Sequence, residues 1–342
     1  MEHLGLVGLP RSGRSTLFNA LTGLVDRDPS SRTETVVGVA HVPDSRLDRL
    51  AAMSKSKKVV PAGFEVVDIA AKGATPGAGL GKAFVGAVRD CDAILYVLGA
   101  FEPGSDPDAA LAELELELAL TDLQSVEQRL ERQRRAMKGD KALAAEVAAL
   151  ERGQAVLGEG VPVYRSDLTR AERALLAPVF LLTDKPVLVV VNIGEDRLAQ
   201  ADEIAAPFGS DALAVCVTIE AEIAACAPED RPEILASFGI AESVLPRLAR
   251  AAYHKLGRRT FLTTGEKESR AWTFPTGAKA PECAGVIHSD LQRGFIRAEV
   301  IRWDELLEIG SWTKAKELGK LRVEGKEYEV SDGDVLEIRF NV

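Results

Sequence analysis

The chain has 342 residues, of which 46% are hydrophobic, and a formal net charge of −10. The length predicts about two domains, and the acidic balance excludes a protein that coats nucleic acid over its whole surface, because neutralising phosphates requires an excess of Lys and Arg. The four cysteines form no C-x-x-C pair, so neither a disulfide framework nor a zinc site is indicated. No apolar run approaches the roughly 20 residues that cross a bilayer, and we expect a cytoplasmic protein without a membrane partner.

The N-terminal stretch has the pattern of a strand, a loop and a helix. The apolar run HLGLVG ends at Gly8, and RSTLFNALTG then shows helical spacing of apolar residues. Between them, GLPRSGRST resembles the phosphate-binding loop G-x-x-x-x-G-K-[ST], whose backbone N–H groups and following helix N-terminus hold phosphate. The predicted phosphate site consists of Gly8, Leu9, Pro10, Arg11, Ser12, Gly13, Arg14, Ser15 and Thr16.

Arg14 occupies the position of the motif's lysine. A lysine delivers a compact charge to the β- and γ-phosphates, whereas a guanidinium is longer, planar and forked, so the exchange is not conservative. Two consequences stay open: Arg14 clamps phosphate from a shifted angle, or it crowds the γ-phosphate position. The Ser15 hydroxyl is a candidate ligand of Mg²⁺. A glycine-rich turn that binds no ligand is the alternative for the whole loop.

Four further apolar runs predict buried strands: FEVVDIA, DAILYVLG, PVLVVVNI and DALAVCV. They lack alternation, as is typical of parallel strands that are covered on both faces. Helical stretches separate them, so the fold class is α/β with a doubly wound sheet. Asp68 ends one strand and is a candidate to reach Mg²⁺ through water, or else is a structural residue of the sheet edge. Asn192 ends another strand, and it is a candidate either to bridge the loops of a base site or to cap the next helix.

An insertion at 106–180 interrupts the strand pattern. Leu111, Leu114 and Leu118 lie at i, i+3 and i+7, and the sequence KGDK breaks the helical pattern farther along. We predict two long helices that pack as an antiparallel hairpin. Its charges fit a solvated helix face, and an arm that docks on a partner is the alternative.

The C-terminal part changes to alternating apolar and polar residues with turn glycines, which predicts a small α+β domain. The predicted organisation is a first domain at 1–105 and 181–258, the helical insertion at 106–180 and the C-terminal domain at 259–342. Basic residues of this last domain are candidates to meet rRNA phosphates, although interleaved acidic residues favour an ordinary solvated surface. They are Arg293, Arg297, Arg302, Lys314, Lys316, Lys320 and Arg322.

Taken together, these segments resemble the Obg-like ATPase family, also called YchF, of P-loop proteins. The resemblance extends nearly end to end and includes STLFNALTG, VGVAHVPDSRLDRL, KGATPGAGLGKAF, VVNIGE, TIEAEI and the text from GEKESRAWTFPTG to the C-terminus. It implies a P-loop NTPase G domain, an inserted α-helical coiled coil and a C-terminal TGS domain, which is a ubiquitin-like β-grasp module.

The resemblance also implies a function. ATP is expected to be preferred over GTP, because the guanine-reading N-K-x-D is here Asn192, Ile193, Gly194 and Glu195. Hydrolysis is expected to be slow, and association with ribosomes and a role in stress physiology are implied. The expected ligands are ATP (or GTP) and Mg²⁺. The base site would comprise Asn192, Ile193, Glu195, Cys216 and Val217, and the metal site Ser15, Thr35 and Asp68.

The departures from the family pattern fall on the triphosphate chemistry. Besides Arg14, the family's D-I-A-G-L-V-K-G is shortened by two residues after Asp68, and Ala71 replaces a glycine. Thr33 and Thr35 are both candidates for the threonine of the first switch. No residue is assigned a catalytic role. The leading hypothesis is a nucleotide-binding YchF-like protein with weak or altered ATP hydrolysis. The alternatives are a hydrolysis-deficient scaffold that binds partners through the helical arm and the TGS domain, and a GTP-binding protein.

Overall fold

The computed structural model describes residues 2–24, 35–69 and 81–341. The chain divides into two compact units, each built from two segments. The first unit comprises Met1–Val39 and Glu65–Leu248, and the second comprises Ala40–Phe64 and Ala249–Val342. Residues 40–64 therefore join the C-terminal unit, although they lie far from it in sequence. The domain limits at 105, 180 and 258 stay predictions.

Strands are spread over both units. In the described residues they are β1 (His3–Val7), β2 (Val36–Val42), β3 (Val59–Val60), β4 (Ala62–Asp68), β5 (Ala93–Ala100), β6 (Val187–Ile193), β7 (Leu213–Val215), β8 (Arg258–Thr263), β9 (Ser269–Pro275), β10 (Phe295–Arg302), β11 (Arg322–Glu324) and β12 (Asp334–Phe340).

Helices connect these strands and form the insertion. They are α1 (Arg14–Thr22), α2 (Ser45–Ser54), α3 (Lys82–Asp90), α4 (Pro107–Met137), α5 (Ala144–Gly158), α6 (Arg170–Leu176), α7 (Ala201–Ala205), α8 (Val217–Ala225), α9 (Arg231–Ser237), α10 (Leu245–Lys255), α11 (Ala280–Ile287), α12 (Ser289–Arg293), α13 (Trp303–Ile309) and α14 (Trp312–Glu317). None of the helices in the described part of the chain combines the length and the apolar character that a bilayer span requires.

The sheet of the first unit has the strand order β2-β4-β1-β5-β6-β7. The pairs β1–β4, β1–β5, β5–β6 and β6–β7 are parallel. The predicted α/β fold with a parallel sheet is therefore confirmed. The strands β1, β5 and β6 are almost entirely buried, as their continuous apolar runs require, whereas the edge strand β2 is partly exposed. Parallel neighbours end at the same edge, so the loops after β1, β5, β6 and β7 meet there.

The insertion forms two helices that pack together. Helix α4 has 31 residues, and α5 follows after a break at 138–143, which contains the KGDK sequence. Apolar side chains of both helices share a core, which includes Leu130 of α4 and Leu150 of α5. Ion pairs such as Arg129–Glu146 link the outer parts of the two helices.

The second unit contains a mixed sheet in the order β11-β10-β12-β8-β9-β3. Neighbours β10–β11, β10–β12 and β8–β9 are antiparallel, whereas β12–β8 and β3–β9 are parallel. Phe261, Phe274 and Leu336 from the sheet share a core with Cys283 of α11. This unit has the α+β character predicted for the C-terminal region, and its identification as a TGS domain stays an inference from the family.

Candidate functional site

A cavity of about 840 Å³ lies at the edge where the central parallel strands end. The loops that follow β1, β5, β6 and β7 all contribute to it, as expected for a ligand site of an open α/β sheet. The residues that line it are Leu9, Pro10, Arg11, Ser12, Gly13, Arg14, Ser15, Thr16, Phe101, Asn192, Ile193, Gly194, Glu195, Cys216, Val217, Thr218, Ile219, Glu222 and Phe238. The structure thus brings the predicted phosphate loop and the predicted base residues to one cavity.

The backbone path of the phosphate loop requires glycine at both ends of the motif. Gly13 has a φ of 89°, and a Cβ atom there would lie 2.2 Å from Asn192 Nδ2. Gly8 does not line the cavity, and a Cβ atom on it would lie 2.6 Å from the carbonyl oxygen of Val97. Both glycines therefore act by letting the loop pack closely, as the motif predicts.

The first residues of α1, Arg14 to Thr16, line this cavity. Gly13 is the N-cap residue, and its lack of a side chain leaves the first N–H groups of the helix without a side-chain cap. Uncapped helix N-termini attract anions through these N–H groups and the helix dipole. Ser12 adds a second sign of a ligand site, because its buried Oγ has no hydrogen-bond partner among the described residues.

Asn192 joins the phosphate loop to the base-side loop. Its Nδ2 donates to the carbonyl oxygen of Ser12 at 3.0 Å, and its Oδ1 accepts from the N–H of Val217 at 3.2 Å. The side chain is buried, with 7% exposure. Asn192 thus links the two loops, and the 3₁₀ helix Glu195–Gln200 begins after Gly194 without a side-chain cap. The place of Asn192 in a base site stays a prediction.

Arg14 forms a buried ion pair with Asp68. Arg14 is the first residue of α1 and Asp68 the last of β4, and Nε donates to Oδ1 at 2.7 Å. The side chains are 13% and 2% exposed, respectively. Arg14 lines the cavity, whereas Asp68 does not. The carboxylate that the sequence assigned to Mg²⁺ is thus held by the guanidinium that replaces the motif's lysine.

The other predicted metal ligands differ in whether they line the cavity. Ser15 lines the cavity beside Arg14, but Thr35 is exposed just before β2 and does not line it. Thr33 and Ala71, the other positions of the triphosphate chemistry, lie outside the described residues. Of the three predicted metal ligands, Ser15 alone lines the cavity, and the metal role of Ser15, Thr35 and Asp68 stays a prediction.

The base-side residues differ in what they present to the cavity. Ile193 and Val217 are 1% exposed and belong mainly to the core, whereas Glu195 is exposed. Cys216 is buried at the end of β7. Two exposed carboxylates, Glu195 and Glu222, thus line the base side of the cavity. An apolar Ile193 stands where guanine-reading proteins have lysine.

Several lining residues were missed by the reasoning from sequence. Phe101 follows β5 directly, so its place at a strand's carboxyl end was a usable signal. Thr218 and Ile219 continue the base-side loop into α8. Phe238 comes from the end of α9 and carries no local signal, because only the packing of α9 brings it to the cavity. The rim also holds an exposed ion pair between Arg11 and Glu102.

The basic residues of the C-terminal region are mostly paired with acidic neighbours. Arg302 lies 3.5 Å from Asp304, Lys320 lies 3.6 Å from Glu305, and Arg293 pairs with Asp290. Lys316 and Arg322 likewise pair with Glu299 and Asp334. This pattern agrees with a solvated, charge-balanced surface on this unit, because each paired cation has its charge offset locally.

Comparisons with known proteins agree along the whole chain. A family model described as 50S ribosome-binding GTPase matches residues 3–138, and the YchF-GTPase_C model, described as a protein of unknown function, matches residues 259–341. The ribosome-binding ATPase YchF of Bacillus subtilis (strain 168) is 42% identical over 361 residues, and that of Escherichia coli O157:H7 is 41% identical over 358 residues. Each alignment covers 99% of both chains.

A solved structure has the same fold. The Schizosaccharomyces pombe YchF GTPase superposes with a TM-score of 0.87 at 30% sequence identity, covering 99% of this chain and 97% of the other. The resemblance inferred from the sequence motifs is confirmed by both kinds of comparison. Because the identity to curated relatives extends over nearly the full length of both chains, this chain belongs to the YchF family of P-loop proteins.

Proposed function

We propose that the chain is a cytoplasmic, ribosome-associated P-loop protein that binds purine nucleotide, prefers ATP over GTP and hydrolyses it slowly. The observation that carries this proposal is the cavity itself, in which Asn192 ties the phosphate loop at Ser12 to the base-side loop at Val217. Ribosome association rests on the family, since the curated relatives are named ribosome-binding ATPases.

The phosphate end of the nucleotide would be held by Leu9 to Thr16. The uncapped N–H groups at the start of α1 supply donors and a positive field, and the Gly13 turn allows them to converge. Mg²⁺ fits this end poorly in the arrangement predicted from the sequence, because Arg14 already holds Asp68. The phosphate contacts therefore come from backbone amides and Arg14.

The base end favours adenine. Glu195 presents an exposed carboxylate, which accepts from the exocyclic amino group of adenine. Ile193 supplies no cation or donor beside the base, and the rings of Phe101 and Phe238 offer apolar faces for a purine. Guanine recognition by the N-K-x-D pattern needs a shorter carboxylate and a lysine, and both are replaced here.

Slow hydrolysis is expected because the sequence offers no residue after β4 that would orient the attacking water. Phosphoryl transfer depends on an oriented water and on positive charge around the γ-phosphate. Neither Gln nor His occurs between Asp68 and Ala100, the region after the β4 strand where a water-orienting residue is expected. A partner that supplies such a group would raise the rate.

Titration of the purified chain with fluorescent ATP, ADP and GTP analogues tests the proposal. We expect ATP to bind more tightly than GTP, and Glu195→Ala to reduce that preference. The adjacent exposed residue Asp196, which does not line the cavity, provides the matched control Asp196→Ala. A lack of binding at millimolar nucleotide would favour the scaffold, and tighter binding of GTP would favour a GTP-binding protein.

Ribosome co-sedimentation tests the partner. Deleting the C-terminal residues would leave residues 40–64 without the rest of their compact unit, so surface substitutions are the cleaner test. Arg297→Glu and Lys314→Glu reverse two exposed charges of this unit. If the unit docks on rRNA, the pelleted fraction falls and becomes more sensitive to salt. An unchanged pelleted fraction would favour docking on the ribosome through the helical arm instead.

A further inference from the structure

The ion pair between Arg14 and Asp68 has a consequence for the cofactor of the proposed site. Asp68 is 2% exposed and its Oδ1 accepts from Arg14 Nε at 2.7 Å. Arg14 lines the cavity and Asp68 does not. A divalent ion in the cavity therefore meets the guanidinium before it reaches the carboxylate.

The energetic cost of removing Arg14 from Asp68 is large. A carboxylate this deeply buried needs a counter-charge, because breaking a buried pair leaves an uncompensated ion. A hydrated Mg²⁺ ion dehydrates reluctantly and needs nearly octahedral oxygen ligands. The guanidinium thus already supplies what the carboxylate requires, without any ion from solvent.

We propose that Arg14 takes the place of Mg²⁺ beside Asp68, so that the nucleotide binds to this chain without a divalent cation. This inference rests on the proposed nucleotide site. In this proposal the Arg14 side chain alone connects the Asp68 carboxylate to the nucleotide phosphates, which a metal ion would otherwise connect.

The chemistry of the guanidinium suits this link. Arg carries five N–H donors in a rigid fork, which match carboxylate and phosphate oxygens. Nε is used on Asp68. Among the described residues, the two terminal amino groups make no further hydrogen bond, so they are available to phosphate. A lysine ammonium is a point charge on a shorter side chain, and it does not form the same planar bridge between carboxylate and phosphate.

The test measures the affinity of the full chain for a fluorescent ATP analogue in EDTA and in excess Mg²⁺. For the natural chain the two dissociation constants should agree within about twofold. Arg14→Lys should bind the analogue at least about tenfold more tightly in Mg²⁺ than in EDTA. Arg197→Lys is the matched control, because Arg197 donates to the carbonyl of Ala100 in the same unit and does not line the cavity. Its two dissociation constants should agree as those of the natural chain do.

A second variant separates the two roles of the carboxylate. If Asp68 serves Arg14 and not a metal, Asp68→Asn should bind the analogue about tenfold more tightly, with or without Mg²⁺, because the carboxylate no longer offsets the positive charge of the guanidinium. If Asp68 serves a metal, the same variant loses affinity in Mg²⁺ alone.

The outcomes distinguish this inference from the proposed function. Nucleotide binding by the natural chain that requires Mg²⁺ overturns the inference and leaves the proposed function standing. Loss of affinity by Asp68→Asn only in Mg²⁺ does the same. Binding of nucleotide in neither condition overturns both.

Discussion

Asn192 carries a structural task and, in the proposed nucleotide site, a binding task as well. As a neutral amide it offers both a donor and an acceptor, and it uses one on Ser12 and the other on Val217. An aspartate could accept but not donate, and an alanine could do neither. The residue therefore sets the spacing of the two loops between which a nucleotide would lie.

Replacing Asn192 by Ala should weaken both stability and binding. The change leaves the Ser12 carbonyl and the Val217 N–H without their buried partner, which costs about 1–3 kcal/mol of unfolding free energy. Urea unfolding followed by far-UV circular dichroism measures this loss, and analogue titration measures the affinity.

Asn192→Asp is the matched variant for this site. It keeps an acceptor for Val217 but sets a buried carboxylate oxygen against the carbonyl oxygen of Ser12, so at neutral pH its loss of stability should be at least as large as that of Asn192→Ala. Equal stability of all three chains would contradict the bridging role.

At the scale of elements, the long helix α4 is joined to the rest of the first unit by Asp122. This carboxylate is fully buried and accepts from the N–H of Leu182 at 2.9 Å and from the N–H and hydroxyl of Thr183 at 2.8 and 2.7 Å. The bonds span some 60 residues of sequence. They hold the helical arm against the segment that leads back into the sheet at β6.

Asp122→Ala should destabilise the chain by about 2–4 kcal/mol, because two buried backbone N–H groups lose their acceptor. Glu113→Ala removes an exposed carboxylate from the same helix and should change stability by less than about 0.5 kcal/mol. Urea unfolding measured by circular dichroism compares the two variants. A similar effect of both substitutions would show that Asp122 is not the anchor.

Glu115 gives α4 a pH dependence. Burial raises the pKa of Glu115, although the hydrogen bond from Tyr164 and the charge of Arg165 lower it. An acid whose pKa is raised on folding stabilises the protein below its ordinary pKa, and this stabilisation is lost as the pH rises through the folded-state value.

Glu115→Gln should therefore gain stability relative to the natural chain as the pH rises from about 4 toward 7. The difference between their unfolding free energies, measured by urea titration at several pH values, isolates this carboxyl from the many others. Glu113→Gln should show no such trend, since its side chain is exposed on the same helix. A difference that shrinks with rising pH would contradict the burial of Glu115.

At the scale of the whole molecule, Arg46 closes the second unit across 286 residues of sequence. Its guanidinium bonds Asp44, which is the N-cap of α2, and reaches Asp332 at 2.6 Å in the turn before β12. Asp332 in turn accepts from the N–H of Thr260 at 2.9 Å. An N-terminal segment is thereby fixed to the turn between the last strands.

Arg46→Ala should lower the stability of this unit by about 1–3 kcal/mol, less than for a fully buried pair because the partners are partly exposed. All three tryptophans, Trp272, Trp303 and Trp312, lie in the second unit, so tryptophan fluorescence during urea unfolding reports on it. Lys57→Ala, an exposed basic residue of the same segment, is the control.

Acid should reduce the effect of Arg46→Ala. Burial alone would raise the pKa of Asp332, but Arg46 and the Thr260 N–H hold it below its ordinary value. Its stabilising contribution is present above the ordinary pKa and is lost as the pH falls through the lowered value. Below about pH 4 the natural and substituted chains should therefore converge in stability. A constant difference would show that the ion pair is not the cause.

Local patterns were enough to predict the sheet and the phosphate loop. Continuous apolar runs bounded by glycine specify buried parallel strands, because both faces of such strands must lose water. Gly8 and Gly13 specify the loop, because side chains there would collide with Val97 or Asn192. Asn192 was found by its position at a strand end, where the topology places ligand residues.

Only the tertiary structure decided which groups meet. Arg14 and Asp68 are 54 residues apart, and nothing local directs a guanidinium toward one carboxylate among the chain's acidic residues. Phe238 reaches the cavity through the packing of α9, and residues 40–64 join the C-terminal sheet through β3. Backbone conformation is set largely by neighbours in sequence, whereas a side chain's partners are set by whichever elements the fold brings beside it. The sequence therefore determined the strands and the glycine-rich loop that form the site, and the tertiary structure determined that Arg14 of this loop pairs with Asp68.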